Sequence, residues 1–201
     1  MTELGVYTKK IHNIDFLEDL QKLKTLKLVS IDIDSLNVLR KLKSIKELEL
    51  QGLTKVTNLE PISALENLKV LSILTIPGWD GSGKRIHYES LSPLSGLKKL
   101  EYLRTIDTEF LNDGLRPLLT IKSLAEFVTR NNYTTSDFAL LEKFCPDINC
   151  KRAHAYYQWE GYEFRRCKKC GEFKVEFSGK DIARRVFCLN CNSKKVEELI
   201  E

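Results

Sequence analysis

Four of the six cysteines in this 201-residue chain form two pairs near its end, and their spacing suits a metal ion. Cys167 and Cys170 stand in RRCKKCGEF, and Cys188 and Cys191 stand in FCLNC. The pattern C-x2-C-x17-C-x2-C is that of a structural Zn2+ site, since two intervening residues let both sulfurs of a pair meet one ion. Four protein thiolates leave no coordination position open. The spacing therefore predicts a structural zinc ion and no catalysis at the metal.

The remaining cysteines, Cys145 and Cys150, have a different expected role. They fall at inward positions of a leucine repeat, equivalent to Leu124 and Thr129 of the preceding repeat, so we expect buried and inert thiols. A dithiol switch is the rival interpretation of a single C-x-x-C pair. Two pairs that flank a hairpin, in a segment of about forty residues that needs a staple to fold, favour zinc instead.

The sequence between the two pairs predicts a β-hairpin. FKVEF alternates apolar and polar residues, SGKD is a turn, and RVF returns, while NSKKVEELIE at the end of the chain has a helical pattern. With its cysteine pairs, the segment 162–201 resembles zinc-ribbon and treble-clef modules. That resemblance implies a small fold held together by its ion.

Leucines recur every 22 or 23 residues through the rest of the chain. One repeat cannot bury its own leucines, so successive repeats must stack, each giving one LxL strand to a parallel sheet. With Leu4-x-Val6 and Cys145-x-x-Ile148-x-Cys150 at the two ends, about seven short strands are predicted. The first full copy consists of Leu17, Leu20, Leu23, Leu26, Leu28 and Ile31, and later copies begin at Leu39, Ile62, Leu91 and Leu115.

The phrases LEPISALENLKVLSI and LSPLSGLKKLEYL give these repeats a family likeness. Over residues 4–153 the chain resembles the leucine-rich repeat family, in particular the short repeats of bacterial internalin-type proteins. The resemblance implies an α/β solenoid with a curved parallel sheet, whose convex side begins at Pro61, Pro93 and Pro117. Two features depart from the family: the Asn that follows each strand is kept only as Asn132, and we expect neither the signal peptide nor the wall anchor of internalins. The positions without this Asn are Ile31, Leu53, Ile76 and Thr108.

These patterns predict two domains, a leucine-rich repeat domain over 1–153 and a zinc-binding module over 154–201. HAYYQW follows Cys150 closely and has no Gly, Ser or Pro linker. Because a solenoid needs its terminal repeat covered, we expect the module to be docked there as a cap.

A loop insertion is predicted at 77–90, which reads PGWDGSGKRIHYES. Trp79, His87 and Tyr88 are costly to leave in water, and they could either rim the concave face or pack as a structural lid. The loop also contains GWDGSGK, which fits G-x-x-x-x-G-K. Arg85 stands where a phosphate-binding loop needs Ser or Thr, and no helix is predicted to follow, so we interpret it as a turn.

The repeat register identifies which side chains face the concave side of the sheet, because strand side chains alternate between its two faces. In this register Glu126 is followed by Asp147, and Val128 by Asn149. The middle repeats bring apolar and aromatic side chains beside arginines, a composition typical of protein-binding surfaces. A face that is merely solvated or covered by the insertion is the alternative. The predicted partner-binding residues are Val70, Ser72, Leu74, Trp79, Tyr102, Arg104, Ile106, Val128 and Arg130.

The net charge of +4 lies entirely in residues 151–201, since the first 150 residues carry equal numbers of acidic and basic side chains. A zinc site on four thiolates adds about −2, which leaves this segment only mildly basic. Nucleic-acid binding through the zinc module is therefore the alternative function, and the small charge counts against it. Its candidate residues are Arg165, Arg166, Lys168, Lys169, Lys174, Lys180, Arg184 and Arg185, with Tyr156, Tyr157, Trp159, Tyr162 and Phe164.

The sequence offers little for catalysis. His12, His87 and His154 stand in unrelated contexts, and no nucleophile with a base or open metal site is visible. No apolar stretch reaches the roughly 18 residues of a membrane span, and MTELGVYTKK lacks the apolar core of a secretory signal, so a cytoplasmic protein is expected. We predict a non-enzymatic protein–protein interaction scaffold. By analogy with similar small bacterial proteins, adaptor and toxin-neutralising roles are both compatible with it.

Overall fold

A computed structural model describes residues 1–76, 85–154, 156–158, 160–182 and 186–194. The leucine repeat builds one parallel sheet of six strands, stacked in chain order, and this confirms the predicted solenoid. The strands of this sheet are β1 (Glu3–Val6), β2 (Thr25–Val29), β3 (Glu47–Gln51), β4 (Val70–Leu74), β6 (Tyr102–Ile106) and β8 (Glu126–Thr129). Smaller sheets contain β5 (Ile86–Ser90) with β7 (Thr108–Asn112), and β9 (Tyr156–Gln158) with β10 (Val175–Phe177) and β11 (Val186–Phe187).

The convex side is made of short 3-10 turns that return the chain to the next strand. Three of the turns carry Pro61, Pro93 and Pro117 in their first turn, as the repeat pattern predicts. Proline fits there because its missing N–H has no partner at the start of a helix. The turns are Asp15–Asp19, Asn37–Lys41, Glu60–Ala64, Ser92–Leu94 and Arg116–Thr120.

The core is a continuous row of leucine and isoleucine side chains between the sheet and the convex turns. Leu26, Leu48, Leu71 and Leu103 lie side by side on adjacent strands and are buried. The retained Asn132 is also buried, and its side-chain amide donates a hydrogen bond to the carbonyl of Thr108, 3.0 Å away. At the positions without this Asn, apolar Ile31 and Leu53 are buried instead.

The seventh strand is reduced to a single bridge, and its predicted register is wrong. Asn149 pairs with Glu126, two positions from the predicted partner Val128. The helix α1 (Thr135–Phe144), with a capping box between Thr134 and Asp137, replaces the 3-10 turn of the other repeats. The bridge joins residues 23 positions apart, the same spacing as between Glu47 and Val70, whereas the predicted pairing of Val128 with Asn149 allowed only 21.

This shift changes the position of the two isolated cysteines. Cys150 aligns with Phe127 and is buried at 3% exposure, which confirms the expected core thiol. Burial raises the pKa of the Cys150 thiol. Cys145 is the C-cap residue of α1 and is half-buried against the core. Neither residue belongs to the cluster formed by the other four cysteines.

Part of the predicted loop 77–90 is a strand. Residues Ile86–Ser90 form β5, which pairs in parallel with β7, while 77–84 lie outside the described residues. Tyr88 is fully buried and stacks on Phe110 at 5.7 Å between ring centroids, so it does not rim the concave face. Phe110 stacks in turn on Tyr133 at 6.5 Å. The three rings are spaced by 22 and 23 residues, the period of the leucine repeat.

Across the described residues, the structure contains no helix that is both long and apolar enough to span a lipid bilayer.

Candidate binding face and metal centre

The strand register places the predicted contact residues in neighbouring columns on the concave face. Val70 is level with Tyr102, and Leu74 is level with Ile106. Ser72, Arg104 and Val128 form the column between them. This part of the sequence-derived register is confirmed. Trp79 lies outside the described residues.

Exposure differs along these columns. Arg104 and Arg130 are exposed, and most of the apolar members are half-buried. Leu74 is only 8% exposed, so it has little surface to offer a partner. The side chains that can reach a partner are therefore those of Val70, Ser72, Tyr102, Arg104 and Ile106 and their neighbours on β8.

Charged side chains on this face differ in whether they form ion pairs. Lys27 and Glu49 form an ion pair of 3.4 Å on β2 and β3. Farther along, Arg130 pairs with Asp107 at 3.2 Å between the guanidinium Nε and Oδ1. Arg104 forms no ion pair with any residue in the described ranges, so its charge is available to an acidic group.

The four paired cysteines lie together in the C-terminal segment. All four sulfurs are within 4.8 Å of one another. The sulfurs of Cys167 and Cys191 are 3.8 Å apart, and those of Cys170 and Cys188 are 3.4 Å apart. A tetrahedral ion with metal–sulfur bonds of about 2.3 Å separates its ligands by about 3.8 Å. The cluster therefore has the dimensions of a four-thiolate metal site and could hold an ion.

Local turns bring the two cysteines of each pair to the same side. The N–H of Gly171 donates to the carbonyl of Cys167 at 2.9 Å, and Gly171 has φ +80°, where a side chain would be strained. In the second pair, the N–H of Asn192 donates to the carbonyl of Cys188 at 2.9 Å. The Asn192 side chain accepts a hydrogen bond from the Cys188 N–H at 3.3 Å.

Electrostatics within the cluster favour a bound cation. Hydrogen bonds from the backbone N–H groups of Lys169 and Cys170 lower the pKa of Cys167 to about 6. The hydrogen bond with Cys170 and burial, together with the neighbouring sulfurs, raise the pKa of Cys191 to about 12. Four thiolates at this distance repel one another, so all of them can ionise together only around a positive ion.

The C-terminal segment contacts the end of the solenoid through two hydrogen bonds to the side chain of Asn131. The Asn131 side-chain amide donates to the carbonyl of Phe177 at 3.0 Å, and its oxygen accepts from the N–H of Gly179 at 2.6 Å. Lys180 donates its N–H to the carbonyl of Tyr133 at 2.7 Å. Asn131 is 9% exposed, so these hydrogen bonds are shielded from water.

A second contact joins this segment to the start of α1. Asp181 accepts hydrogen bonds from the N–H of Thr135 at 2.7 Å and from its hydroxyl at 2.9 Å. Burial is the largest single influence and raises the pKa of Asp181, but these hydrogen bonds and the charge of Lys180 outweigh it, so the pKa is lowered. The ionised Asp181 carboxylate therefore stabilises the folded state fully when the pH is above the ordinary carboxyl pKa. This stabilisation is lost as the pH falls through the lower pKa that Asp181 has in the folded state.

Two ion pairs add to this contact. Lys180 reaches Glu109 of β7 at 2.8 Å, and Arg152 lies 3.3 Å from Glu176 of β10. Docking of the C-terminal segment was expected from the missing linker, but the residues that mediate this contact were not predicted. In the sequence, this contact was indicated only by Asn131, which precedes the Asn132 typical of the family, and by the SGKD turn at 178–181.

The basic and aromatic residues of the C-terminal segment divide into two groups. Arg166 pairs with Glu163 at 2.6 Å and stacks on Phe173, while Lys180 is held by Glu109. Tyr156 packs on the small core of Val175, Phe177 and Phe187, and the guanidinium of Arg152 lies over Tyr157. The other group consists of Lys168, Lys169, Lys174, Arg165, Tyr162 and Phe164, whereas Trp159, Arg184 and Arg185 lie outside the described residues.

The second group has an open surface. Lys168, Lys169 and Lys174 line a cavity of about 290 Å3 beside the cysteines, and none of the described residues that line it is a carboxylate. Phe164 is 73% exposed and Tyr162 is 47% exposed, and their rings meet edge to face. The N–H of Lys174 donates to the carbonyl of Arg165 at 3.0 Å, which places the lysines next to the exposed rings.

Solved structures with a similar fold are leucine-rich repeat proteins. Internalin C2 of Listeria monocytogenes is 26% identical with a TM-score of 0.51, over 64% of this chain and 51% of its own. A leucine-rich repeat protein of Leptospira interrogans is 23% identical with a TM-score of 0.55, over 75% of this chain and 36% of its own. The chain thus spans about half or less of the length of these proteins. Among curated proteins, none matches its sequence.

The solenoid also matches a protein family by sequence. The profile described as the Endo-beta-N-acetylglucosaminidase EndoS LRR domain matches residues 8–124, which is more than half of the chain. The matched range begins before the first 3-10 turn, ends just before β8, and excludes the cysteine cluster. The chain belongs to the EndoS-type leucine-rich repeat domain family.

Proposed function

We propose that this chain is a non-enzymatic scaffold that binds a protein partner through the concave face of its solenoid. Leucine-rich repeat folds are commonly protein–protein interaction scaffolds and are generally non-enzymatic. The observation that carries the proposal is the cluster of half-buried Tyr102 and Ile106 on either side of exposed Arg104. An aromatic and an aliphatic side chain beside an arginine make the kind of surface that dominates binding energy at interfaces.

The proposed face can be tested by introducing charge at its centre. Replacing both Tyr102 and Ile106 with Asp should weaken binding of the captured partner by at least about 30-fold, since each central anchor contributes on the order of 2 kcal/mol. The measurement is affinity capture from the native host, followed by titration of the recovered partner. Both side chains are half-buried on the sheet, so the fold should persist in circular dichroism.

A matched control lies in the same columns of the sheet. Thr25 is level with Tyr102 across the intervening strands, and Val29 is level with Ile106. Replacing Thr25 and Val29 with Asp should leave capture unchanged. Unchanged binding by the Tyr102 and Ile106 variant would show that the partner does not use this face, and equal losses in both variants would show that binding is not centred on Tyr102 and Ile106.

We further propose that the cysteine cluster binds one structural Zn2+ and that residues 154–201 act as the docked cap of the solenoid. The four ligands are Cys167, Cys170, Cys188 and Cys191. The sulfur separations support this metal, as does the completeness of the ligand set. The contacts of Asn131 and Thr135 with residues 177–181 support the role as a cap, because they cover the last repeat.

A second candidate function, the binding of single-stranded nucleic acid, is favoured by the lysine-lined cavity. Lys168, Lys169 and Lys174 form no ion pair with a carboxylate of the described residues, so they can attract phosphates, and exposed aromatic rings such as Phe164 can stack on bases. Most of the other predicted basic residues in the described segment are already engaged in ion pairs. The candidate surface is thus smaller than the sequence suggested.

Replacing Lys168 and Lys169 with Glu should test this second function. If the surface binds nucleic acid, affinity for a fluorescein-labelled 15-nucleotide oligo(dT) should fall at least about tenfold, and the salt dependence should decrease by about 0.7 per lost phosphate contact. Lys9 and Lys10, an adjacent exposed pair near the chain start, provide the matched Glu control. Salt-insensitive binding, or equal loss in the control, would reject the function, and zinc content should be the same in both variants.

A further inference from the structure

The outer edge of β8 is only partly paired. The N–H of Asn149 donates to the carbonyl of Ala125 at 2.8 Å, and the N–H of Phe127 donates to the carbonyl of Asn149 at 3.1 Å. Beyond Asn149 the chain turns away, with the N–H of Ala153 bonded to the carbonyl of Cys150. The next groups along this edge are the carbonyl of Phe127 and the N–H of Thr129. Neither forms a hydrogen bond with any residue that the structure describes.

This incomplete edge borders a cavity of about 440 Å3. The six-stranded sheet forms one wall, through β8, and Tyr157 of β9 contributes to the other. β9 is itself the edge strand of the three-stranded sheet. The cavity therefore lies between the edges of two sheets, where an extended chain could hydrogen-bond to backbone. The lining residues are Glu126, Phe127, Val128, Thr129, Asn149, Cys150, Lys151, Arg152 and Tyr157.

The walls of the cavity define the chemistry that fits it. Val128, Cys150 and Tyr157 offer apolar contact, and Val128 continues the proposed binding face from Arg104. Arg104 and Lys151 are exposed, and in the described parts of the chain neither has a carboxylate within ion-pair distance. Glu126 lies at the opposite end of this edge, level with Asn149, where the seventh strand position is already filled. The open end is thus basic.

We infer that the edge of β8 beyond Asn149 binds an extended acidic segment of the protein partner, which adds to the sheet as its seventh strand. Main-chain hydrogen bonds to Phe127 and Thr129 would supply affinity, and a carboxylate near Lys151 and Arg104 would supply specificity. The inference rests on the proposed protein-binding function and names the chemistry of the segment that is bound.

A single substitution can remove the backbone N–H of Thr129, the proposed hydrogen-bond donor, without disturbing the sheet. The N–H of Thr129 points away from β6, so proline at this position deletes no existing ladder bond, and proline is tolerated on edge strands. Replacing Thr129 with Val is the matched control, because it keeps the N–H and, like proline, removes the hydroxyl that bonds Thr105. Lys151→Glu is a second variant, outside the sheet ladder, that leaves β8 intact.

The probe is a phage library of random twelve-residue peptides, selected on the full chain. Acidic peptides rich in β-branched residues should be enriched and should bind the Thr129→Val variant as well as they bind the original chain. The Thr129→Pro variant should bind them about tenfold more weakly, as expected for one lost buried hydrogen bond. The Lys151→Glu variant should also bind them more weakly. Should Thr129→Pro fail to fold, Lys151→Glu carries the test alone.

Failure to enrich acidic peptides, or equal binding by the Thr129→Pro and Thr129→Val variants, would overturn the inference. Binding of the captured partner to the same variants distinguishes a failure of this inference from a failure of the proposed function. If Thr129→Pro retains the partner and the Tyr102 and Ile106 variant loses it, strand addition is wrong while the concave face stands. If both variants retain it, the proposed function itself is wrong.

Discussion

Replacing Cys188 with Ser is expected to abolish metal binding and to unfold the C-terminal segment while the solenoid stays folded. Cys188 is buried, and its sulfur lies 3.4 Å from that of Cys170. Among the residues that the structure describes, the segment's own core consists of Val175, Phe177 and Phe187 with a few partly buried neighbours. So small a core cannot replace the roughly 10 to 16 kcal/mol that zinc contributes to folding in small modules.

Zinc content and limited proteolysis measure this effect together. The original chain should contain one zinc ion, and the Cys188→Ser variant should contain none and be cleaved within residues 160–182. The control is Cys145→Ser, a half-buried cysteine outside the cluster, which should retain its zinc and its resistance to protease. A Cys188→Ser variant with full metal content and an intact C-terminal segment would contradict the zinc site.

Replacing Gly179 with Ala should detach the C-terminal segment from α1. Gly179 has φ +125°, a conformation that residues with side chains rarely adopt. A Cβ atom at this position would overlap the Thr135 hydroxyl and lie 2.8 Å from the Thr135 backbone nitrogen. We expect the free energy of unfolding to fall by about 2 to 5 kcal/mol, from backbone strain together with the steric overlap.

Amide exchange gives a local readout of this change. The N–H of Thr135, which donates to Asp181, should lose its protection when the contact opens. Gly161→Ala is the matched control, because Gly161 also has a positive φ, +81°, but a Cβ there meets no atom within 4 Å. It should cost only about 1 to 2 kcal/mol of strain. Equal effects of the two substitutions would show that the Thr135 contact contributes nothing to docking.

The repeat period made most of the solenoid predictable, because each inward leucine must be covered by the same position of the next repeat. For that reason the columns of Tyr102 and Ile106 were placed correctly. The prediction failed at Asn149, because the alignment of Cys145 and Cys150 with Leu124 and Thr129 shortened the last repeat to 21 residues, whereas the bridge from Glu126 to Asn149 keeps the ordinary spacing of 23. The cysteines of the last repeat thus do not occupy the inward positions that were assumed for them, although the repeat period itself is kept.

The two-stranded sheet of β5 and β7 was not predicted, although the sequence contains a pattern that indicates it. Tyr88, Phe110 and Tyr133 share the leucine period, but they stand outside the LxL motif, and the glycines before Tyr88 indicated a loop. Aromatic stacking between adjacent repeats decides their position, and this depends on distances that no single repeat encodes.

The cysteine cluster could be predicted from the sequence, whereas the residues of the docked contact could not. Spacing alone predicted that Cys167 and Cys188 would converge, because the ligand geometry of a metal ion is short-range and fixed. The pairing of Asn131 with Gly179 joins residues 48 positions apart and has no periodic pattern. Contacts of this kind follow from the final packing of two parts of the chain, so sequence reasoning could expect the docking but not the residues that mediate it.

Hydroxyl-radical footprinting of the complex with its captured partner tests the central claim most directly. If the partner binds the concave face, oxidation of Tyr102, Ile106 and Val128 should fall several-fold on binding. Oxidation of Val29, in the same column as Ile106 but on the second strand, should not change. Unchanged oxidation of Tyr102 and Ile106 in a complex that is fully formed would contradict the account.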